Sequence, residues 1–284
     1  MKNLRLSLFI ILIMLVIFGA YLFIQEGYII EDGLNIVQDN NKEIDFKEKI
    51  NISDEYELIK GLKTNLRSEE KESLVALVAK KDKKETIFKD ELMLIIKSEN
   101  ERKEFDLDDF SGYEPEIEIK DFTGDHNKEI FLRAATGGSS GIYNHLILAY
   151  DGKSFNKLFD KDNNRGIVVN GYFGRDFTAH LFFEELDKEV DLDISENKGS
   201  YIEKNIYNTD GNMVLRNLIR PYSNPFSLLE AIDYDGDNVY ELRGIQRIVG
   251  AYNADTISEI ESIWSYNSGK WVIEKANYST YIKR

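Results

Sequence analysis

The chain has 284 residues, enough for one large or two small domains with a hydrophobic core, so disorder over the whole chain is excluded. Asp and Glu outnumber Lys and Arg by 51 to 36, and the resulting formal charge of −15 argues against nucleic-acid binding. The absence of Cys excludes disulfides, thiol nucleophiles and Cys-ligated zinc, and only 3 His remain as imidazole ligands. Carboxylates are therefore the most abundant potential metal ligands.

The first 25 residues carry the signature of a membrane anchor. Leu6–Ile24 contains 19 residues without a charge, and as a helix it would span about 28 Å, close to the thickness of a hydrocarbon core. Basic residues precede this segment and acidic residues follow it, so the positive-inside rule places the bulk of the chain outside the cytoplasm. A cleaved signal peptide is the alternative, although cleavage after Ala20 would place Phe18 at the −3 position, where a small residue is preferred.

Residues 26–72 are interpreted as a tether followed by a short helix. The stretch from Gln25 to Asn51 is acidic and Asn-rich, which is typical of a linker that contains at most one edge strand. Ser53 occupies a helix N-cap position, and the apolar residues after it recur at helical spacing. These residues are Tyr56, Ile59, Leu62 and Leu66.

Residues 73–284 are predicted to form an all-β, antiparallel domain. Short apolar or alternating runs are separated by Asp, Gly and Asn turns, and the alternation of strands with helices that a parallel sheet requires is not visible. The predicted strands are 74–79, 92–96, 117–120, 130–132, 145–150, 167–169, 178–183, 201–207, 228–232, 257–266 and 270–273.

Two segments of this domain, at about 115–160 and 226–278, resemble each other. Four residues of the first segment recur in the second at an offset of 112, and a hairpin that contains Tyr, Gly and Lys follows in both. The matched pairs are Asp121 with Asp233, Gly124 with Gly236, Asp125 with Asp237, and Glu129 with Glu241. Each unit is therefore predicted to be a four-stranded meander, the shape of a propeller blade, with an acidic loop between its first two strands.

The two acidic loops offer oxygen ligands at alternate positions, a spacing that suits calcium, which takes six to eight oxygens. In the second loop the candidate ligands are the side chains of Asp233, Asp235, Asp237 and Glu241, together with the main-chain carbonyl of Val239. In the first loop they are Asp121, Thr123, Asp125, Asn127 and Glu129, which is a weaker set because one carboxylate is replaced by a hydroxyl. The alternative is that both loops are ordinary hairpin turns whose acids cap backbone N–H groups.

The loops resemble the calcium loops of FG-GAP and VCBS repeat proteins, the integrin-like propeller blades with the motif Asp-x-Asp-Gly-Asp-Gly-x-x-Glu. The second loop departs from this motif at Asn238, and the first departs at Thr123 and His126. The resemblance implies propeller-like blades and calcium as a structural ion, and it implies no catalytic activity.

The function predicted from the sequence is that of a membrane-anchored extracytoplasmic module. It would bind calcium structurally and bind an unknown protein or glycan partner, either in the cell envelope or extracellular, without catalysis. The alternative is an envelope hydrolase that acts on cell-wall glycans with acidic residues between Glu184 and Asp193. A serine triad of Ser139 or Ser140 with His145 is disfavoured because the Gly-x-Ser-x-Gly motif is absent.

Overall fold

The computed structural model describes residues 46–68, 72–81, 86–99, 101–139, 141–214 and 219–280. All of these residues belong to one unit, Ile36–Arg284. The predicted membrane anchor and most of the predicted tether lie outside the described residues. Among the residues that the structure does describe, none forms a helix that is both long and apolar enough to cross a membrane.

The first sheet has four antiparallel strands, and its second strand is almost entirely buried. A helical segment at 46–50 packs Phe46 and Ile50 against this sheet, so the last part of the predicted tether is folded. The order is β1-β2-β4-β5, with β1 Tyr56–Thr64, β2 Ser73–Lys80, β4 Leu92–Lys97 and β5 Arg102–Asp106.

The predicted helix after Ser53 is wrong, because this segment forms strand β1. The strand pairs with β2 from Tyr56 to Thr64, and an irregularity between Leu58 and Lys60 inserts an extra residue into the register. A bulge of this kind interrupts the two-residue alternation of a strand, which leaves apolar residues three apart and imitates helical spacing. The antiparallel structure therefore begins at Tyr56 rather than at Ser73.

The second sheet contains the first predicted repeat unit. Its order is β3-β6-β7-β8-β9, and all neighbouring strands are antiparallel. The strands are β3 Phe88–Lys89, β6 Gly112–Lys120, β7 Glu129–Ala135, β8 Tyr143–Tyr150 and β9 Phe155–Phe159.

The third sheet has seven antiparallel strands in the order β12-β11-β10-β13-β14-β15-β16, and its last four strands form the second repeat unit. The strands are β10 Val169–Phe173, β11 Thr178–Phe183, β12 Lys188–Asp193, β13 Tyr222–Ile232, β14 Glu241–Val249, β15 Thr256–Asn267 and β16 Lys270–Ser279. The all-β, antiparallel class is therefore confirmed, and so is the four-stranded meander of each repeat, β6–β9 and β13–β16.

Two predicted strands, 201–207 and 167–169, differ in the structure. The segment 201–207 begins in the helix Lys198–Glu203, because Tyr201 is buried and its hydroxyl donates to the Asp255 carboxylate. Of 167–169 only Val169 lies in a strand, since the main chain of Ile167 is hydrogen-bonded to the buried side chain of Gln246. Short 3₁₀ helices occupy Asn163–Arg165, Glu184–Leu186 and Ser195–Asn197.

The two repeat units share one hydrophobic core. Trp271 lies between them, with its ring centroid 5.8 Å from that of Phe122 and 5.9 Å from that of Phe159, and its indole N–H donates to the Leu158 carbonyl at 2.9 Å. Trp264 packs against the same cluster, so both tryptophans stabilise the interior. The buried members are Phe122, Phe131, Ile147, Phe159, Phe226, Leu229 and Leu242.

Candidate metal centre

The second acidic loop joins β13 to β14 and brings three predicted ligands together. Carboxylate oxygens of Asp233, Asp235 and Asp237 lie within 4.8 Å of one another, and all three side chains are exposed. The loop is held by main-chain donors, because Gly236 N–H donates to Asp233 and Val239 N–H donates to Asp237, each at 2.8 Å. This arrangement concentrates negative charge and oxygen ligands in one place, as a calcium site requires.

Glu241, the first residue of β14, lies beside this group. Its carboxylate accepts a hydrogen bond of 3.0 Å from the Tyr234 N–H. Burial raises the pKa of Glu241, and the negative charges of Asp235 and Asp237 raise it further. The negative charge of the cluster therefore affects the pKa of Glu241, but Glu241 is not one of the three clustered carboxylates.

The first acidic loop has the same hydrogen-bonded frame as the second. Asp121 accepts from the Gly124 N–H at 2.8 Å, Asp125 accepts from the Asn127 N–H at 2.9 Å, and Glu129 accepts from the Phe122 N–H at 2.8 Å. Each of these bonds recurs 112 residues later in the second loop. The repeat is therefore a repeat of loop conformation as well as of sequence.

His126 and Asn238, which replace the second glycine of the calcium-loop motif, support the equivalence of the two loops. His126 has φ +67° in the first loop and Asn238 has φ +70° in the second, so both adopt the left-handed conformation that glycine favours. Asn reaches this conformation more readily than most residues, and His is also enriched there. The two departures from the motif therefore keep its backbone geometry.

The side chains of the first loop are less suited to an ion. Asn127 accepts from the Ser68 N–H at 3.1 Å and donates to Asp125 at 3.0 Å, so this predicted ligand is already engaged. The Thr123 hydroxyl is buried and has no hydrogen bond of good geometry within the described residues, although it lies near enough to Asp125 and Glu129 to exert a lowering effect on the pKa of both carboxyl groups. Among these residues, the only group of three acidic or imidazole ligands close enough to hold a metal is the one in the second loop.

Glu129 of the first loop is an unusual carboxyl group. It is 2% exposed, and burial together with the charges of Asp121 and Asp125 raises its pKa to about 7. Burial also opposes ionisation of Asp125, but hydrogen bonds from Asn127 more than offset this and lower the pKa of Asp125. In the first loop, therefore, the pKa of Glu129 is raised and the pKa of Asp125 is lowered.

The two loops are neighbours in the fold. Lys120, at the end of β6, places its ammonium 4.4 Å from the ring centroid of Tyr240 and within 3.3 Å of its hydroxyl. Gly124 of the first loop faces Val239 of the second, and a Cβ atom at Gly124 would stand 3.4 Å from the Val239 side chain. The two acidic loops are therefore in direct contact.

The groups considered for hydrolysis do not assemble a triad among the described residues. His145 pairs with Asn164, and Ser139 accepts instead from Asn253 at 3.4 Å. In the acidic segment, Glu185 accepts from the Val168 N–H at 2.8 Å, while Asp191 bonds to His180 at 2.5 Å. Both of these carboxylates therefore have hydrogen-bonding partners within the described residues.

The buried pair of His145 and Asn164 forms a second polar site, which was not predicted from the sequence. Both line a cavity together with an acidic run at 104–109. The sequence carried one signal for this site, since four of the residues at 104–109 are acidic. Nothing in the sequence indicates that this run meets β8 and β9.

Comparison with known proteins gives two matches of limited extent. Residues 167–279 match the family model described as the YybI C-terminal domain, a span that coincides with the seven-stranded sheet from β10 to β16. The chain is also 29% identical over 171 residues to the "Uncharacterized protein YybI" of Bacillus subtilis (strain 168). That alignment covers 60% of this chain and 64% of the relative, which is less than two thirds of its length. No solved structure matches the chain significantly. The seven-stranded sheet is thus similar to the C-terminal domain of YybI.

Proposed function

We propose that this protein is a membrane-anchored extracytoplasmic β-repeat module that binds calcium structurally and presents its repeats to a protein or glycan partner in the cell envelope. The observation that carries the calcium part is the convergence of Asp233, Asp235 and Asp237 within 4.8 Å of one another. Three exposed carboxylates this close repel one another, and a bound cation relieves that repulsion.

The blade-like nature of the repeats is part of the same proposal. Both units are four-stranded antiparallel meanders, and in both the acidic loop joins the first strand to the second. The FG-GAP and VCBS resemblance implies that such units act as propeller blades with calcium at this loop. The shared hydrogen-bonded frame of the two loops supports this interpretation.

The calcium part is tested by thermal unfolding of the detergent-solubilised full-length chain. Calcium at a hundredfold excess over Kd should stabilise the native state by about 2.7 kcal/mol, and chelation should reverse this. Asp235→Ala should remove most of the increase in Tm. Asp162→Ala is the matched control, because Asp162 is an exposed Asp whose side chain caps no helix.

Two outcomes would contradict the proposal. If calorimetry at millimolar calcium detects no heat and Tm does not change, the loops are ordinary acidic turns. If Asp162→Ala reduces the calcium response as much as Asp235→Ala does, the response reflects the overall charge of −15 rather than a site.

A further inference from the structure

A cavity of about 580 Å³ lies between β5 and β9, the edge strands of the first and second sheets. Its lining combines apolar with charged residues, and the rings of Phe105 and Phe155 meet edge to face with centroids 4.5 Å apart. The volume lies within the range of about 300–1,000 Å³ that is usual for small-molecule pockets. The apolar lining consists of Phe105, Leu107, Phe110, Leu146, Leu148 and Phe155.

Two buried polar residues, His145 and Asn164, contribute to this lining. They are 4% and 7% exposed, and His145 Nδ1 lies 2.7 Å from the Asn164 side-chain oxygen. The Asn164 amide nitrogen donates to the Tyr143 carbonyl at 2.8 Å, which fixes the amide orientation. Since a carbonyl only accepts, the Asn164 oxygen must face the imidazole, and Nδ1 must carry the proton.

This network leaves the second imidazole nitrogen of His145, Nε2, as an unprotonated acceptor. No described residue donates a hydrogen bond to it. Burial lowers the pKa of His145 to about 4, so the ring is neutral at physiological pH. Stacking between Phe131 and Tyr143, at centroid distances of 6.0 and 6.1 Å, holds the ring in place. His145 is therefore a neutral ring, fixed in the lining of the cavity, whose acceptor atom is Nε2.

The charged residues around the cavity are mostly acidic. Five carboxylates and two lysines line it, a formal charge of −3, and Lys157 is already paired with Asp109 at 3.2 Å. Carboxylates around a low-dielectric cleft concentrate cations and repel anions. The acidic residues are Glu104, Asp106, Asp108, Asp109 and Asp160, and the second lysine is Lys161.

We propose that this cavity binds a small organic ammonium ion with an apolar body. The ammonium group would lie near the acidic residues and donate toward His145 Nε2, while the apolar body would contact Phe105 and Phe155. Aromatic rings attract cations through their π faces, so the walls and the acidic residues select the same ligand class. A hydrated metal ion would gain little from the apolar walls, and an anion would be repelled. The proposal is independent of calcium binding, because the cavity and the acidic loops share no residues.

The test uses the detergent-solubilised full-length chain and nitrogen NMR of its 3 imidazole rings. The probe is phenethylammonium, compared with its uncharged analogue phenethyl alcohol and the anion hydrocinnamate. Phenethylammonium should bind saturably with a millimolar Kd, as so small a ligand allows, and should shift the Nε2 resonance of His145 more than that of Nδ1. The alcohol should bind at least about fivefold more weakly and the anion not at all. His145→Gln assigns the resonance.

Substitutions on the acidic rim separate binding from folding. Asp106→Asn and Asp108→Asn change exposed residues of the lining, and each should weaken phenethylammonium binding by about fivefold. Glu189→Gln, at an exposed position of β12, is the matched control and should leave Kd unchanged. A titration with N-acetyl-Phe-Lys-amide tests where the ammonium group comes from. Tighter binding of this peptide than of phenethylammonium would show that the natural ammonium group belongs to a lysine side chain.

Three results would overturn the proposal. The first is the absence of a saturable shift of the His145 signals. The second is equal affinity for phenethylammonium and phenethyl alcohol, which would show that charge plays no part. The third is an unchanged Kd in both Asp variants while the melting curves remain native.

Discussion

The main-chain N–H of Tyr240 donates a hydrogen bond of 2.7 Å to the carbonyl oxygen of Asp121. This bond joins the second acidic loop to the first residue of the first loop, across 119 positions of sequence that also contain β7 to β13. It is a main-chain bond, so side-chain substitution cannot remove it directly. Order imposed on the second loop by an ion is therefore expected to reach the first loop through the backbone.

Substitution of the third loop residue, Thr123 in the first loop and Asp235 in the second, should reduce calcium stabilisation to different extents. Thr123 stands where the second loop has Asp235, and a hydroxyl is a weaker calcium ligand than a carboxylate. Thr123→Ala should therefore reduce the calcium-induced rise in Tm less than Asp235→Ala does. Magnesium should substitute poorly in the wild-type chain, because it prefers a small octahedral site and retains its waters. Equal losses in the two variants, measured by differential scanning calorimetry, would contradict this prediction.

Glu129 should make the calcium-free protein less stable as pH rises. Its pKa is about 7 in the folded state against 4.5 for an ordinary Glu, so the folded state binds the proton more tightly. The favourable contribution is complete below about pH 4.5 and is lost as pH rises through about 7, at a total cost of about 3 kcal/mol. Glu129→Gln, whose amide is never ionised, should flatten the pH dependence of the free energy of unfolding between these values.

The matched control for this experiment is Glu241→Gln at the equivalent position of the second loop. Glu241 is more exposed than Glu129, so its substitution should change the pH dependence less. Urea unfolding in the presence of a chelator, from pH 5 to pH 8, provides the measurement. A Glu129→Gln variant that retains the wild-type slope would show that another group titrates.

Gly244 should be intolerant of a side chain. A Cβ atom there would lie 2.2 Å from the ring of Phe226, which is 1% exposed and cannot move aside without disturbing the shared core. Gly244→Ala is therefore expected to destabilise the protein by about 1–3 kcal/mol. Gly199→Ala is the control, because its Cβ would meet nothing within 4 Å and it lies in the helix Lys198–Glu203. That change should be neutral or slightly stabilising, and equal effects of the two changes on urea unfolding would contradict the packing argument.

Gln246 should be a second point of high sensitivity. Its side chain is completely buried, accepts from the Ile167 N–H at 2.8 Å, and donates to the carbonyls of Arg165 at 2.9 Å and Asn224 at 2.9 Å. Gln246→Leu has a similar volume but leaves these main-chain groups unsatisfied, at a cost of about 1–3 kcal/mol for each group that water cannot reach. Thermal unfolding should show a large fall in Tm. A fall of only a degree or two would mean that water replaces the amide.

The anchor prediction concerns residues outside the described structure and is tested by fractionation. The uncharged segment Leu6–Ile24 should keep the full-length protein in the membrane fraction in high salt, because the association is hydrophobic rather than electrostatic. Protease added to intact cells should digest the bulk of the chain. A soluble mature protein with an N-terminus near residue 21 would instead establish a cleaved signal peptide.

The sequence alone determined the features that depend on local pattern. Alternation of apolar and polar residues predicted the antiparallel class, and the recurrence of Asp121 and Glu129 as Asp233 and Glu241 located both acidic loops between the correct strands. Turn chemistry is local, because an Asp side chain caps N–H groups two or three residues away. This is why both loops could be predicted without knowledge of their neighbours.

The tertiary structure decided the features that depend on partners distant in sequence. Pairing with β2 made 56–64 a strand although its spacing imitated a helix, and burial of Tyr201 against Asp255 made 201–203 helical where a strand was predicted. The contact between the two acidic loops and the cavity that His145 and Asn164 line have the same origin. Each is formed by segments that the chain brings together only when its sheets pack, because burial and hydrogen bonding between distant residues outweigh local propensity.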